Sequence, residues 1–233
     1  MKWSWSKIMD WCLDWVMPRY CLGCGLEGGC CCRQCFGMRV KWREQQICPI
    51  CRHVNNTGKI CTECHQDWNL DGLVVAAEKN EFVLKMIAEY KYNDVIELEK
   101  VLAKILYQVV AQLKSDVGLW CSVPLAPKRF YWRGFNQSER LAKLVTGKIG
   151  IKYDDLLRRK KFVKQQVGLK KEERMENVKN VFEIKKLVEN SLPGKKVWIV
   201  DDVATTLATL NECAKVLKES GAEEVMGVVL VRE

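Results

Sequence analysis

Eight of the 13 cysteines fall into four Cys-x-x-Cys pairs, Cys21/Cys24, Cys32/Cys35, Cys48/Cys51 and Cys61/Cys64. Each such turn directs two sulfurs to one side, so eight thiolates suit two tetrahedral zinc ions. Pairing by chain proximity puts Cys21, Cys24, Cys32 and Cys35 in one site and Cys48, Cys51, Cys61 and Cys64 in the other. A crossed pairing stays open, as does replacement of a ligand by Cys30, Cys31, His53 or His65. A zinc ion saturated with sulfur has no open coordination position, so the expected work is stapling or partner docking, without chemistry.

A second group of reactive residues lies near the other end. Asp201 and Asp202 adjoin each other and are followed by Val203, Ala204, Thr205, Thr206, Leu207, Ala208 and Thr209. Adjacent carboxylates can accept hydrogen bonds from the two hydroxyls of a ribose. Loop amides, threonine hydroxyls and a helix N-terminus suit a phosphate. A plain capping or lysine-pairing role is the competing account for the aspartates, and the hydroxyl-rich turn beside them favours a sugar-phosphate cradle.

The surrounding elements must hold that cradle at a sheet edge. Residues 197–200 form a continuous apolar run of the kind expected in a buried parallel strand, and residues 225–231 form another. Between them Leu210, Cys213, Ala214 and Leu217 recur at helical spacing, with Gly221 as a stop. The segment reads as a βαβ unit with its aspartates at the carboxyl end of the first strand, where open α/β sheets bind ligands.

The stretch VWIVDDVATTLATL resembles the phosphoribosyl pyrophosphate signature of type I phosphoribosyltransferases. The chain as a whole resembles the ComF family. It does so through the cysteine pairs, Tyr90-Lys91-Tyr92, Val123-Pro124-Leu125 and Arg133-Gly134-Phe135-Asn136-Gln137, and through Gln166-Val167-Gly168-Leu169 followed by Arg174, Asn177 and Phe182.

That resemblance implies an α/β fold, a type I phosphoribosyltransferase-like parallel sheet flanked by helices and preceded by a small cysteine-rich zinc-ribbon module. It places an N-terminal helix and the zinc module in residues 1–66 and the phosphoribosyltransferase-like domain in 67–233. It also implies transfer of a phosphoribosyl group from phosphoribosyl pyrophosphate with Mg²⁺. Asp201 and Asp202 would be the catalytic pair holding the ribose hydroxyls, the turn through Thr209 would hold the 5-phosphate, and Lys128 and Arg133 the departing pyrophosphate. Several members serve DNA uptake during competence, which suggests single-stranded DNA and a helicase-like protein as partners.

Two positions depart from the family pattern. Leu207 stands where glycine is usual, and a leucine adopts positive φ only at a cost of about 1 kcal/mol or more. Val163 stands where threonine is usual. Leu207 puts turnover in question, so a non-catalytic sensor of a phosphorylated ribose is the rival to a transferase.

The positive charge is concentrated. Residues 126–196 carry 20 Lys and Arg against 8 Asp and Glu, whereas the whole chain has a net charge of only +9. Such a segment can meet pyrophosphate or a nucleic-acid backbone. Within it Lys128, Arg129 and Arg133 interleave with Phe130, Tyr131, Trp132 and Phe135, a mixture that serves stacking on unpaired bases, or else a packed aromatic cluster with solvated charges. Arg129, Tyr131, Trp132 and Arg133 are the nucleic-acid-binding candidates. The run from Arg158 to Lys161, with Lys170 and Lys171, reads as a charged hood or as a solvated loop.

No apolar run approaches the roughly 18 residues of a membrane span. The tryptophan-rich first 16 residues read as an amphipathic helix that packs on the zinc module or lies at a membrane interface. Eleven of the 13 cysteines lie in the first 64 residues in metal-binding rather than disulfide-scaffold spacing, which points to a reducing cytoplasm. Cys121 and Cys213 are expected as buried apolar side chains.

Overall fold

Two long apolar runs, each buried on both faces, form the middle of a four-stranded parallel sheet. In spatial order its strands are β1 (Gly72–Val75), β6 (Glu224–Arg232), β5 (Lys196–Ala204) and β2 (Leu119–Ser122). The computed structural model describes residues 19–93, 95–113, 118–160, 180–185 and 191–233. The amphipathic N-terminal segment, Lys161, Val163, the run from Gln166 to Leu169, Lys170, Lys171, Arg174 and Asn177 lie outside the described residues.

Helices cover one face: α2 (Glu81–Tyr92), α3 (Leu98–Val110) and α5 (Gln137–Ile149). A short α1 (Arg33–Arg39) lies within the cysteine segment, and α4 (Pro127–Arg133) follows β2. Asn80 caps α2 by accepting from the Val83 N–H at 3.0 Å. Asn136 caps α5 in the same way and also donates its amide to the Val123 carbonyl at 3.0 Å, which fixes α5 against the end of β2. Trp120 and Trp198 stack at 5.4 Å beneath these helices and anchor the first core.

The opposite face is covered by α6 (Ala208–Glu219) and by an antiparallel pair, β3 (Leu157–Arg159) with β4 (Phe182–Ile184). Leu210, Cys213, Ala214 and Leu217 of α6 are all buried there, as their helical spacing demands. Cys121 and Cys213 are buried in the same core.

The cysteine segment closes the exposed edge of β1. Trp42 and Lys59 make antiparallel bridges to Ala77 and Gly72. Between those bridges the Gln46 side chain takes the place of a strand, accepting from the Val75 N–H at 2.9 Å and donating to the Val75 carbonyl at 3.0 Å. An open edge would leave these backbone groups unpaired. Gly58 is required at this seam, because a Cβ there would lie 2.3 Å from the Leu73 carbonyl oxygen. Cys21 and Cys35 join the helix-side core, while Cys48 joins the core on the other face, so the cysteine segment straddles the sheet.

Candidate functional site

The four cysteines nearest in sequence come together in each cluster, Cys21, Cys24, Cys32 and Cys35 in one and Cys48, Cys51, Cys61 and Cys64 in the other, with all ligand atoms of a cluster within 4.8 Å of one another. Sulfurs on a tetrahedral zinc ion, with bonds of about 2.3 Å, lie about 3.8 Å apart. Cys24 and Cys32 are 3.8 Å apart and Cys51 and Cys61 are 3.6 Å apart, so both clusters fit such an ion. Burial pushes the Cys21 and Cys48 thiols up, but donated backbone amides outweigh it and bring both down to about 6, toward the thiolate that a metal requires.

The other candidate ligands stand apart. Cys30 donates to Glu97, Cys31 to the Cys32 carbonyl, and His65 meets Asp71 at 2.9 Å. His53 is exposed and belongs to neither cluster.

A cleft of about 400 Å³ lies at the carboxyl end of β5 and β2. Asp201 and Asp202 from β5 line it with Val203, Thr205 and Thr209. The chain after β2 supplies its floor, from Val123 through Ala126. Three cations reach it from three elements: Lys91 from α2, Arg129 from α4 and Arg159 from β3.

The two aspartates are held differently. Asp202 is 3% exposed; one oxygen accepts from Lys91 Nζ at 2.6 Å, and the other, Oδ2, is buried with no hydrogen-bond partner among the described residues. Such an orphaned oxygen costs about 1–3 kcal/mol unless a donor is brought to it. Asp201 Oδ1 accepts from the Ser138 hydroxyl at 2.7 Å and from the Asp202 N–H at 2.9 Å. Burial, reinforced by the neighbouring Asp202 charge, pushes the Asp201 carboxyl up to about 7.

Arg129 and Arg159 make no ion pair among the described residues. Burial, and then the Arg129 charge beside it, pulls Arg159 below its usual range, so the cleft holds two guanidiniums close together.

The turn after β5 takes the conformation that glycine would favour. Leu207 sits at φ 64° and ψ −7° as the residue before α6. Its side chain is 4% exposed and packs in the core beneath α6, away from the cleft. The leucine therefore leaves the turn open on the cleft side. Thr206 Oγ1 accepts from the Ala208 N–H at 3.4 Å, and the first amides of α6 have no acceptor within the helix.

Of the remaining candidates, Ala204 is buried, and Thr206 and Ala208 turn elsewhere than the cleft wall. Lys128 is exposed and does not line the cleft. Arg133 donates to Gln137 and lies over the Tyr92 ring at 5.3 Å, also off the cleft wall.

Residues 135–233 match the phosphoribosyl transferase domain family. The chain is 30% identical over 188 residues to Competence protein F of Haemophilus influenzae, covering 76% of this chain and 82% of that protein. It is 31% identical over 219 residues to Competence protein ComFC of Streptococcus pneumoniae, covering 88% and 89%. The chain belongs to the ComF family. Identity of 28% over 204 residues, 83% of this chain and 87% of the relative, extends the likeness to DNA utilization protein YhgH of Escherichia coli (strain K12).

In this ComF-family chain Lys91, Arg129 and Arg159 are cleft residues that carry no such role in the sequence reading. Lys91 had a signal in its motif Tyr90-Lys91-Tyr92. Arg159 had none beyond its place in a basic run. No helix among the described residues is long and apolar enough to cross a membrane.

Proposed function

We propose that the cleft at the end of β5 binds phosphoribosyl pyrophosphate or a closely related ribose 5-phosphate. The observation that carries this reading is the buried Asp202 Oδ2, unpartnered among the described residues, on the wall of a cleft that also presents Arg129 and Arg159 without ion pairs to those residues. A ribose hydroxyl supplies the missing donor, and phosphates supply the missing anions. Thr205, Thr209 and the turn from Val203 to Ala208 take the 5-phosphate, with Leu207 in place for its backbone conformation. Arg129 and Arg159 take the pyrophosphate, joined by Lys128 and Arg133 when their side chains swing over the cleft.

Asp201 and Asp202 also fit Mg²⁺, since two adjacent carboxylates with an oxygen to spare are a hard-cation donor set. Bound with the ligand, the ion would supply charge neutralisation to the pyrophosphate. Transfer to an acceptor is the proposed activity, with the protein acting by positioning and neutralising. Residues 1–66 serve as the zinc-stapled unit beside a phosphoribosyltransferase-like domain spanning 67–233, and a reducing cytoplasm suits their thiolates.

Calorimetric titration with phosphoribosyl pyrophosphate, with and without Mg²⁺, tests binding. A pyrophosphate-release assay with candidate bases then separates transferase from sensor. Absence of binding in both titrations sinks the reading.

A second function, binding single-stranded DNA, is favoured by α4. Tyr131 is 90% exposed and Trp132 87% exposed, beside Arg129 and Arg133, which suits stacking on unpaired bases better than a packed cluster. The names of the relatives, competence and DNA utilization proteins, point the same way, and a helicase-like partner would dock on the zinc module. Affinity for a single-stranded oligonucleotide should fall with salt and fall about tenfold or more on Trp132→Ala. An unchanged affinity removes this function.

A further inference from the structure

A second cavity, of about 230 Å³, opens where the turn between Cys48 and Cys51 meets the ends of β1 and β6. Three arginines from three segments line it: Arg43 from the strap along β1, Arg52 beside the cluster cysteine Cys51, and Arg232 from the end of β6. Among the described residues none of the three makes an ion pair, and Arg43 alone makes a side-chain hydrogen bond, from Nε to the Gln45 carbonyl at 3.0 Å. The carboxylates on the wall are Glu78 and Glu233, and Lys79 already lies 3.7 Å from Glu233. Three guanidiniums and Lys79 therefore face two side-chain carboxylates, one of them already beside Lys79.

Like charges gathered in a partly buried cavity repel one another unless an anion joins them. Their closeness is felt at Arg232, which burial and then the charge of Arg52, with that of Arg43, pull below its usual range against the opposing charge of Cys48. Arg52 is moreover held at φ 65°, a left-handed conformation that non-glycine residues adopt only at a cost. Its N–H donates to the Cys48 carbonyl at 3.0 Å, so the zinc turn itself fixes where this arginine stands.

We propose that this cavity binds a phosphate monoester, with a mononucleotide as the ligand class. Guanidiniums take phosphate oxygens in pairs, and three of them can surround one phosphate. The cavity also has an apolar wall, made by Ile47, Pro49, Leu73 and Val75, against which the uncharged part of a nucleotide lies. A bare phosphate would leave that wall unused. The site is distinct from the ribosyl cleft, since Glu233 is the one residue that lines both. Glu233 also donates its N–H to the Ala204 carbonyl at 2.9 Å, which sets the new site directly beside the end of β5.

The test titrates the zinc-loaded full chain with adenosine monophosphate, inorganic phosphate and phosphoribosyl pyrophosphate in turn. Adenosine monophosphate should bind, and bind more tightly than inorganic phosphate. Arg43→Gln and Arg52→Asn should each weaken it about tenfold or more, the loss expected for one charge-assisted contact. Both should leave affinity for phosphoribosyl pyrophosphate unchanged. Arg52→Asn keeps a residue type that tolerates positive φ at an exposed position, so folding is not at issue. The inference is overturned if neither variant weakens binding, if Arg129→Gln abolishes it instead, if inorganic phosphate binds equally well, or if the native chain does not bind the nucleotide. Loss of phosphoribosyl pyrophosphate binding alone would sink the cleft reading and leave this one standing.

Discussion

Lys91 Nζ lies 2.6 Å from Asp202 Oδ1, joining the last turn of α2 to the end of β5 across 111 positions of sequence. Both side chains are largely withdrawn from water, and the second carboxylate oxygen has no hydrogen-bond partner among the described residues. The lysine half-neutralises the aspartate and leaves it one acceptor short, so the pair holds a carboxylate ready for a donor from the cleft.

Lys91→Met tests that arrangement. Removing one partner of a buried pair leaves an uncompensated charge, at a cost of about 3–5 kcal/mol. The urea midpoint should drop accordingly, and Lys91→Met with Asp202→Asn should recover much of the loss. A single variant as stable as the native chain would show that the aspartate does not depend on the lysine.

Leu207→Gly sets two effects against each other. Relief of the left-handed conformation at φ 64° is worth about 1 kcal/mol or slightly more. Emptying the space of a leucine that is 4% exposed costs about 2–5 kcal/mol. Packing wins, so the glycine variant should be less stable than the native chain, while its affinity for phosphoribosyl pyrophosphate stays within about twofold because the backbone already has the required shape. A higher melting temperature for the variant would mean that strain, not packing, governs this turn.

Asp201 makes stability depend on pH. Its folded carboxyl titrates at about 7 and an ordinary one at 3.8. A raised carboxyl binds its proton more tightly when folded, so stability is greatest at low pH, declines as pH rises between those two values, and is level above about 7. Linkage alone sets a ceiling of about 4 kcal/mol, which the partial solvent contact of Asp201 reduces. Asp201→Asn keeps the acceptor for Ser138 and should flatten this slope, gaining about 1–2 kcal/mol at about pH 8. Urea titrations at about pH 5 and about pH 8 check it, and an equal slope in both proteins contradicts it.

The βαβ unit was legible because its signals are local. The run at 197–200 sits in β5, Leu210, Cys213, Ala214 and Leu217 face the core, and Gly221 follows the helix end with φ 97°. Cysteine pairing by proximity was legible for the same reason. What the sequence hid is what long-range packing decides. The motif Tyr90-Lys91-Tyr92 marks Lys91 without telling that it reaches Asp202, and no periodicity tells that Gln46 will complete the edge of β1. Arg159 enters the cleft only because β3 and β4 fold over α6, whereas Lys128, in sequence nearer the strand end, points to solvent. Leu207 was readable as a departure, but where its side chain goes depends on a core assembled from distant segments.

The cysteine clusters make the metal content countable. Purified under reducing conditions, the chain should carry two zinc ions by atomic absorption, one per set of four sulfurs. Cys35→Ser should remove one ion and Cys48→Ser the other, whereas Cys30→Ser, whose thiol meets Glu97 outside either cluster, should retain both. The two losses should also differ in consequence. Cys35 packs in the core beside Phe82 and the other helix-side residues, so its ion supports the contact with α2. Cys48 packs beside Ile60, Leu70 and Leu73 on the opposite face and holds the turn that carries Arg52. Losing the second ion should therefore impair the β1 edge and the arginine cavity together, and hydrogen exchange at the Val75 amide should accelerate in Cys48→Ser more than in Cys35→Ser. Equal acceleration in the two variants would mean that the clusters act as one unit.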